Sequence, residues 1–419
     1  MLIFAEKDVL LHPETANNES LMTNFVFISP HFPHTYWEFC RRLAQNGVRV
    51  LGIADAPYEE LQPELKDALT EYYRVNSLEN YDEVYRAVAY FAFRYGRIDW
   101  IESNNEHWLK QDARLREDFN IKTGLQTDRI AGIKEKAEMK KYYALGGVPS
   151  ARQIRAAEGK DAVFAFAKEI GFPLIAKPNE GVGASGTHKL SSPEDLERFF
   201  SLTEHTDAYV VEQFVTGSIF SYDAIVDASG NPLFESMCAW PPSMMDIVNK
   251  QLELYYCVEP GVLPELREVG RRTVKAFGIF NRFVHLEYFR LDRDYPSLGK
   301  KGDFAGIEVN MRPAGGYTPD MMNFAHSTDV YKIWADMVAF GERRTDEGEQ
   351  LFCAYASRRD IYQYVHSHEE VLARYGADIV MNERLPDVFA AAMGNYMYTA
   401  RLRSREEVEA FIDYVTRKQ

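Results

Sequence analysis

The stretch GIEVNMRPAGG, Gly306–Gly316, determines how the rest of the sequence is interpreted. Glu308, Asn310 and Arg312 stand two residues apart, so on an extended strand their side chains point to one face. The apolar residues between them point to the other face, as a packed core requires. The Pro-Ala-Gly-Gly sequence that follows ends the strand and leaves room beside its backbone. The pattern therefore predicts a strand that presents a carboxylate, an amide and a guanidinium in one row.

A second carboxylate, Glu287, lies in the preceding apolar stretch VHLEYF. If the two strands pair, Glu287 converges with Glu308 and Asn310, and their oxygen atoms suit Mg²⁺ that also binds substrate phosphates. Two carboxylates alone would repel each other, and metal ions that bridge polyphosphate oxygens remove that repulsion. Arg312 could grip a carboxylate or phosphoryl group with two hydrogen bonds. The alternative is a polar stripe that faces solvent on an edge strand.

A lysine precedes a glycine-rich loop in AKPNEGVGASGT, residues 176–187. Gly181, Gly183 and Gly186 would let backbone N–H groups converge on an anion. The loop is neither a Walker A motif nor a dinucleotide fingerprint, because G-K-[ST] and strict G-x-G-x-x-G are missing. Lys177 interrupts an apolar strand, where a buried ammonium group needs an anion beside it. The alternatives are a plain hairpin turn and a lysine on the solvent face.

An acidic residue also interrupts the apolar run YVVEQFVTG, residues 209–217. The surroundings of Glu212 suit a groove for a flat apolar ring. Backbone groups of Gln213 and Val215 could then pair with the edge of a base. The alternative is that Glu212 faces solvent.

The composition excludes several classes of protein. A net charge of −15 over 419 residues argues against nonspecific binding to nucleic acid or to an anionic membrane. The sequence predicts no transmembrane helix, and residues 1–20 show no signal-peptide pattern. The cysteines form no CxxC motif or Cys/His cluster, so we expect reduced thiols in a cytoplasmic protein and not a disulfide framework, zinc site or catalytic cysteine. They are Cys40, Cys238, Cys257 and Cys353.

The length predicts two or three domains. Strands and helices alternate up to about residue 125, which favours a small parallel α/β domain. The segment 133–147, IKEKAEMKKYYALGG, predicts one helix that ends at two glycines, and Ser192 is expected to cap a later helix. The predicted units are an N-terminal extension over 1–20, an α/β domain over 21–125, a unit over 126–341 with a lid at about 150–215, and a small α/β cap over 342–419.

Taken in chain order, these motifs closely resemble the ATP-grasp superfamily, which includes biotin carboxylase, carbamoyl-phosphate synthetase and the L-amino-acid ligases. The resemblance spans about residues 20–340. It implies a mixed α/β and α+β fold: an N-terminal parallel α/β domain, a two-lobed ATP-grasp domain with antiparallel sheets, and a small C-terminal α/β cap.

The resemblance also implies roles for individual residues. Lys136 and Lys177 match the lysines that contact ATP phosphates, with Lys177 also near adenine; the distance to Gly147 favours Lys136 over Lys134. Lys177, Asn310 and Arg312 are the predicted catalytic residues, with Arg312 holding the acyl phosphate or its precursor. The remaining assignments are a flap over the phosphates (Gly181, Gly183, Ser185, Gly186), an adenine hinge (Glu212, Gln213, Val215) and Mg²⁺ ligands (Glu287, Glu308, Asn310). Ile219 stands where many members carry an acidic ribose contact, so ribose is held either by Glu212 or more weakly.

The implied activity is that of an ATP- and Mg²⁺-dependent ligase that joins a small-molecule carboxylate to an amine through an acyl phosphate. Two Mg²⁺ ions are implied, Mn²⁺ could replace them, and the resemblance allows a homodimer. One alternative is phosphorylation of bicarbonate, as in carbamoyl-phosphate synthetase or biotin carboxylase, although no biotin-carrier segment or glutaminase motif is visible. Another is a nucleotide-binding module that has lost catalysis, although all three predicted metal ligands are present.

Aromatic and Met residues in 29–37 and 240–256 could line a pocket for an apolar amino acid, or they could pack domains together. We expect His188 and His285 to be structural.

Overall fold

Three β-sheets and their helices organise the chain in a computed structural model, which describes residues 22–181, 186–240, 247 and 250–419. The strands are β1 (Asn24–Ile28), β2 (Arg49–Ala54), β3 (Glu71–Arg74), β4 (Trp100–Glu102), β5 (Gln153–Arg155), β6 (Leu174–Pro178), β7 (His188–Leu190), β8 (Tyr209–Gln213), β9 (Gly217–Val226), β10 (Pro232–Trp240), β11 (Tyr255–Val258), β12 (Arg282–Leu291), β13 (Phe304–Asn310), β14 (Phe352–Arg358), β15 (Ile379–Arg384) and β16 (Tyr396–Leu402). The helices are α1 (Trp37–Gln45), α2 (Pro63–Ala68), α3 (Tyr81–Tyr95), α4 (Leu109–Asp118), α5 (Thr127–Lys134), α6 (Lys136–Leu145), α7 (Lys160–Ile170), α8 (Pro193–Leu202), α9 (Pro264–Ala276), α10 (Thr318–His326), α11 (Val330–Phe340), α12 (His368–Tyr375), α13 (Asp387–Met393) and α14 (Arg405–Thr416).

The N-terminal sheet is parallel, with strand order β3-β2-β1-β4. All five residues of β1, NFVFI, are buried, as expected for a strand that is covered on both faces. This confirms the predicted parallel α/β domain. The strand order reverses between β1 and β4, so a crevice opens at the carboxyl ends of these two strands.

The lid sheet is antiparallel, with strand order β5-β8-β6-β7. Its helices α7 and α8 bury one face of the sheet through residues such as Val163 and Leu196. The side chain of Ser192 accepts a hydrogen bond from the N–H of Asp195 at 3.3 Å, which confirms the predicted helix cap. Strands β6 and β7 flank the glycine-rich loop.

The largest sheet is antiparallel and has eight strands, in the order β13-β12-β9-β10-β11-β14-β16-β15. The segment predicted as a small cap, 342–419, contributes β14, β15 and β16 to this sheet, because β11 pairs directly with β14. The domain boundaries remain predictions, and those near residues 125, 150, 215 and 341 fall in segments that connect helices and strands.

Helices α10 and α11 join the N-terminal domain to the large sheet. Their residues share one hydrophobic core with β1 and α1. The rings of Phe39 and Trp334 meet edge to face at 5.0 Å, and Arg42 pairs with Asp329 at 2.6 Å. Neither helix was predicted from the sequence.

All four cysteines are buried and free, so they are thiols, as predicted. Burial raises the pKa of each thiol group, which keeps it protonated and unreactive. In the part of the chain that the structure describes, no helix combines the length and apolar character that a membrane span requires.

A buried ion cluster fixes the N-terminal domain against the start of β12. Glu102, at the end of β4, pairs with Arg116 at 2.8 Å and with Arg282, the first residue of β12. Arg282 also donates a hydrogen bond to the carbonyl of Met311, at 2.5 Å. The cluster therefore connects β4 to both strands that carry the acidic residues of the site.

Replacing Glu102 should destabilise the whole fold. Glu102→Gln leaves two guanidinium groups buried without their shared carboxylate, which should lower the free energy of unfolding by about 3–5 kcal/mol. Urea denaturation at neutral pH measures this change. Glu79→Gln, which removes an exposed carboxylate, is the control. A loss for Glu102→Gln no larger than that of the control would show that the cluster does not hold the domains together.

Candidate active site

Two carboxylates face each other across neighbouring strands. Glu287 on β12 lies directly opposite Glu308 on β13, and His285 lies opposite Asn310. Residues two apart share a face, so all four side chains lie on one side of the sheet. Strand β13 is an edge strand, yet the residue Asn310 is only 2% exposed. The polar row therefore faces an interior site and not solvent.

The two carboxylates differ electrostatically. Burial raises the pKa of Glu308, and the negative charge of Glu287 adds to this despite the opposing charge of Lys136. Burial also disfavours the charge of Glu287, but the hydrogen bond and charge of His285 hold its pKa below the usual value. Of the two carboxylates, Glu308 is thus the one whose negative charge is less completely neutralised by its neighbours.

His285 belongs to this site, which the sequence analysis did not predict. Its Nδ1 lies 2.7 Å from Asp223 Oδ1 and its Nε2 lies 3.2 Å from Glu287 Oε1. Burial alone would lower its pKa, but Asp223 and then Glu287 raise it to about 9, so the ring is protonated at neutral pH. The signal was present as the alternation of His285 and Glu287 along one strand, but Asp223 is contributed by β9, more than sixty residues away.

Lys136 opens helix α6, where the sequence analysis expected a single helix over 133–147. The structure instead has two helices, α5 and α6, which are separated by the extended residue Glu135. Asn179 explains the break: its backbone carbonyl and side-chain oxygen accept the N–H groups of Lys136 and Ala137, at 2.8 and 2.9 Å. These contacts satisfy two N–H groups of the first helical turn and fix the position of Lys136.

The ammonium group of Lys136 connects the flap to the acidic pair. It donates a hydrogen bond to the carbonyl of Gly181 at 2.8 Å and lies 3.4 Å from a carboxylate oxygen of Glu308. Gly181 has a φ of +120°, which a residue with a Cβ rarely adopts. Gly186 closes the same loop, while the predicted flap residues Gly183 and Ser185 lie outside the described residues.

Lys177 lies beside an anionic group, as predicted for a lysine in an apolar strand. Its ammonium group lies 2.7 Å from Glu212, and Lys140 approaches the other oxygen of this carboxylate at 3.2 Å. Glu212 is 5% exposed, so it does not face solvent. Lys140 was not predicted from the sequence, although it lies one helical turn after Lys136 and so on the same face of α6.

The predicted adenine hinge connects the lid to the large sheet. The N–H of Gln213 is already bonded to the carbonyl of Arg152 at 2.8 Å, and Val215 packs with Leu291 and Tyr295. Ile219, on β9, lies between β10 and β12. No acidic side chain occupies that position, and Glu212 is engaged by two lysines, so the ribose contact remains a prediction.

Arg312 follows β13 and lies next to the acidic pair. Its guanidinium group donates a hydrogen bond to the Pro313 carbonyl at 2.8 Å, and it has no ion pair within the described ranges. Its positive charge acts on both Glu287 and Tyr36, and Tyr36 comes from the crevice of the N-terminal sheet. Arg312 is thus near enough to Glu287 and to Tyr36 for its charge to affect the pKa of both groups.

Aromatic side chains extend the site along the large sheet. Trp240 stacks on Tyr256 at 4.5 Å, and Tyr256 stacks on Tyr355 at 4.9 Å. The indole N–H donates to Ser221, whose hydroxyl donates to Asp223, the partner of His285. The predicted pocket for an apolar amino acid remains a prediction, because residues 241–246 and 248–249 of that segment lie outside the described residues.

The residues present fit a nucleotide with Mg²⁺. Two carboxylates and one amide are the donors that Mg²⁺ combines with phosphate oxygens. The described residues contain no group of three or more His, Cys, Asp or Glu side chains that could hold a metal ion by themselves. The Nδ2 atom of Asn310 is buried and has no hydrogen-bond partner in the described structure. Such a site needs ligands from a substrate to complete it.

The arrangement of the chain matches solved structures over nearly its whole length. The L-amino acid ligase from Bacillus licheniformis aligns with a TM-score of 0.68 and 17% identity, covering 94% of this chain and 96% of that one. A biotin carboxylase domain dimer from Hydrogenobacter thermophilus, in complex with MgADP, ADP and bicarbonate, aligns with a TM-score of 0.64 and 16% identity, over 94% and 89% of the two chains. The fold is that of the ATP-grasp superfamily.

The similarity in sequence is weaker than the similarity in fold. The L-arginine-specific L-amino acid ligase of Bacillus subtilis is 25% identical over 229 residues, which is 53% of this chain and 53% of that protein. The alignment thus spans about half the length of this curated relative. No family model matches the chain. The expected resemblance is confirmed for the fold, and the roles of individual residues remain predictions.

Proposed function

We propose that this protein is an ATP- and Mg²⁺-dependent ligase that joins the carboxylate of one amino acid to the amino group of another. The observation that carries the proposal is the pairing of Glu287 with Glu308 on one face of the sheet, with Asn310 beside them and Lys136 at 3.4 Å from Glu308. A cluster of buried charges of both signs with an unsatisfied amide is expected where charged substrates bind.

The proposed reaction has two steps. A carboxylate oxygen of the first substrate attacks the γ-phosphorus of ATP, the bond to the β,γ-bridging oxygen breaks, and ADP leaves. The amine of the second substrate then attacks the acyl carbon, the C–O bond to phosphate breaks, and the amine loses a proton as the amide forms. Phosphoryl transfer of this kind depends on positioning and charge neutralisation more than on covalent chemistry.

Different residues of the site have different roles in the proposed reaction. Lys136 and Lys177 bind the phosphate groups, and Arg312 orients the reacting carboxylate from the side of the crevice. Glu287, Glu308 and Asn310 would hold Mg²⁺, and we propose two ions, which Mn²⁺ could replace. When bound, the metal neutralises charge on the phosphate oxygens.

Amino acids are the favoured substrates for two reasons. The proteins named L-amino acid ligase match this chain in fold and, over half its length, in sequence. In addition, the half-buried ring of Trp240 lies 5.8 Å from His285, where it could contact the apolar side chain of a substrate. The biotin carboxylase match favours bicarbonate as the second candidate, and it also supports a homodimer for this chain.

A substrate panel tests the proposal. Purified protein with MgATP should release phosphate when given certain pairs of L-amino acids, and mass spectrometry should detect the corresponding dipeptide. Phosphate release that requires bicarbonate and no amine would favour the second candidate. No nucleotide binding and no phosphate release with any pair would overturn the proposed activity.

A further inference from the structure

Lys140 is a buried cation that the proposed reaction does not use. It lies one turn after Lys136 on α6, and its side chain is 14% exposed. Its ammonium group approaches Glu212 Oε1 at 3.2 Å, while Lys177 approaches Oε2 of the same carboxylate at 2.7 Å. One buried carboxylate is therefore shared by two half-buried ammonium groups, with a total charge of +1.

The charges of these three residues affect one another. Burial alone would raise the pKa of Glu212, but Lys140 and then Lys177 lower it to about 2. Burial lowers the pKa of Lys140, and Glu212 opposes this shift. Both lysines are therefore held in place by a carboxylate that stays ionised.

The binding of a phosphate group would disturb this balance. If Lys177 turns toward a phosphate, Glu212 loses its nearest cation. A buried carboxylate without a cation beside it is strongly destabilising, so the movement of Lys177 would be opposed. Lys140 removes this opposition, because it remains beside Glu212 and keeps it neutralised.

We infer that Lys140 is a positioning residue that holds Glu212 and thereby frees Lys177 to bind the nucleotide phosphates. This inference rests on the proposed function, because it assumes that ATP binds at this site. It assigns Lys140 an indirect role through Glu212 and no direct contact with ATP.

Calorimetric titration of the full chain with Mg²⁺ and the non-hydrolysable analogue AMP-PNP tests the inference. In Lys140→Met, Lys177 and Glu212 form a neutral pair, and the affinity should fall by about 10- to 100-fold, the effect of one charge a few ångströms away at an effective dielectric constant near 20. Lys140→Met with Glu212→Gln restores the net charge of +1, and its affinity should be clearly higher than that of Lys140→Met alone. Lys141→Met is the control, since Lys141 is 69% exposed and pairs with Glu138.

The double variant separates this role from two others. If Lys140 touched the phosphates directly, or if it only supported the fold, the double variant would bind as weakly as Lys140→Met or more weakly. Either that result or an unchanged affinity in Lys140→Met would overturn the inference while the proposed function stands. An unaltered protein that binds no AMP-PNP would overturn the proposed function, and the inference with it. Circular dichroism melting of each variant confirms that the fold persists.

Discussion

Glu308→Gln is expected to reduce ADP release by about 100- to 1,000-fold or more while the protein still unfolds cooperatively. The substitution keeps the size of the side chain but removes one of the two carboxylates that we propose as metal ligands. Stability should not fall, because the partly buried carboxylate of Glu308 is desolvated and is repelled by Glu287. The apolar face of β13, which includes the buried Val309, is left unchanged.

A coupled assay for ADP and a urea denaturation curve measure the two parts of this expectation. Glu268→Gln is a matched control, because it makes the same chemical change at a helix position whose side chain is 72% exposed. Normal turnover in Glu308→Gln would remove Glu308 from the mechanism. Loss of cooperative unfolding would show instead that the row of acidic residues has a structural role.

Arg312→Ala should lower turnover far more than it lowers nucleotide affinity. Its guanidinium group is bonded only to the neighbouring Pro313 carbonyl within the described structure, and its charge acts on both Glu287 and Tyr36. We therefore expect it to hold the reacting carboxylate and not the base or sugar of ATP. We expect kcat to fall by about 100-fold or more, and the Kd for AMP-PNP to change by less than about threefold.

Arg312→Lys distinguishes charge from geometry at this position. Lysine keeps the positive charge but cannot form the two parallel hydrogen bonds of a guanidinium group. Partial recovery of kcat in this variant, with KM for the carboxylate substrate still raised, supports a role in orienting that substrate. Equal losses of turnover and AMP-PNP affinity in Arg312→Ala would assign Arg312 to nucleotide binding.

The strand residues of the site could be predicted because strand geometry has a fixed period. Alternation placed Glu308 and Asn310 on one face, and the apolar surroundings of Glu287 indicated a neighbouring buried strand; the register of β12 and β13 agrees with both. Lys177 could be predicted to have an anionic partner for a similar reason, since a buried ammonium group is unstable alone.

Other features depend on contacts between distant parts of the chain. The break between α5 and α6 is caused by Asn179, and the protonation of His285 is caused by Asp223 on another strand. Neither partner is visible in a local pattern. The eight-stranded sheet could not be predicted from local patterns either, because β11 pairs with β14, a strand almost one hundred residues later in the chain.

Unlike those features, the position of Lys140 beside Lys136 could have been predicted from the sequence. Its spacing from Lys136 places both lysines on one face of the helix. However, lysines at this spacing are common on protein surfaces, and the segment is typical of an exposed, charged helix. Only the burial of Glu212 in the structure shows that Lys140 turns inward.

The central claim is that Glu287, Glu308 and Asn310 together hold divalent metal beside a nucleotide triphosphate. A crystal structure of the protein grown with Mn²⁺ and AMP-PNP tests it most directly, because Mn²⁺ gives an anomalous signal that locates it without reference to the surrounding chain. We expect anomalous peaks at about 2.0–2.3 Å from the side-chain oxygens of these three residues, close to phosphate oxygens of the analogue. Nucleotide bound with no peak between β12 and β13, or metal bound by other residues, would contradict it.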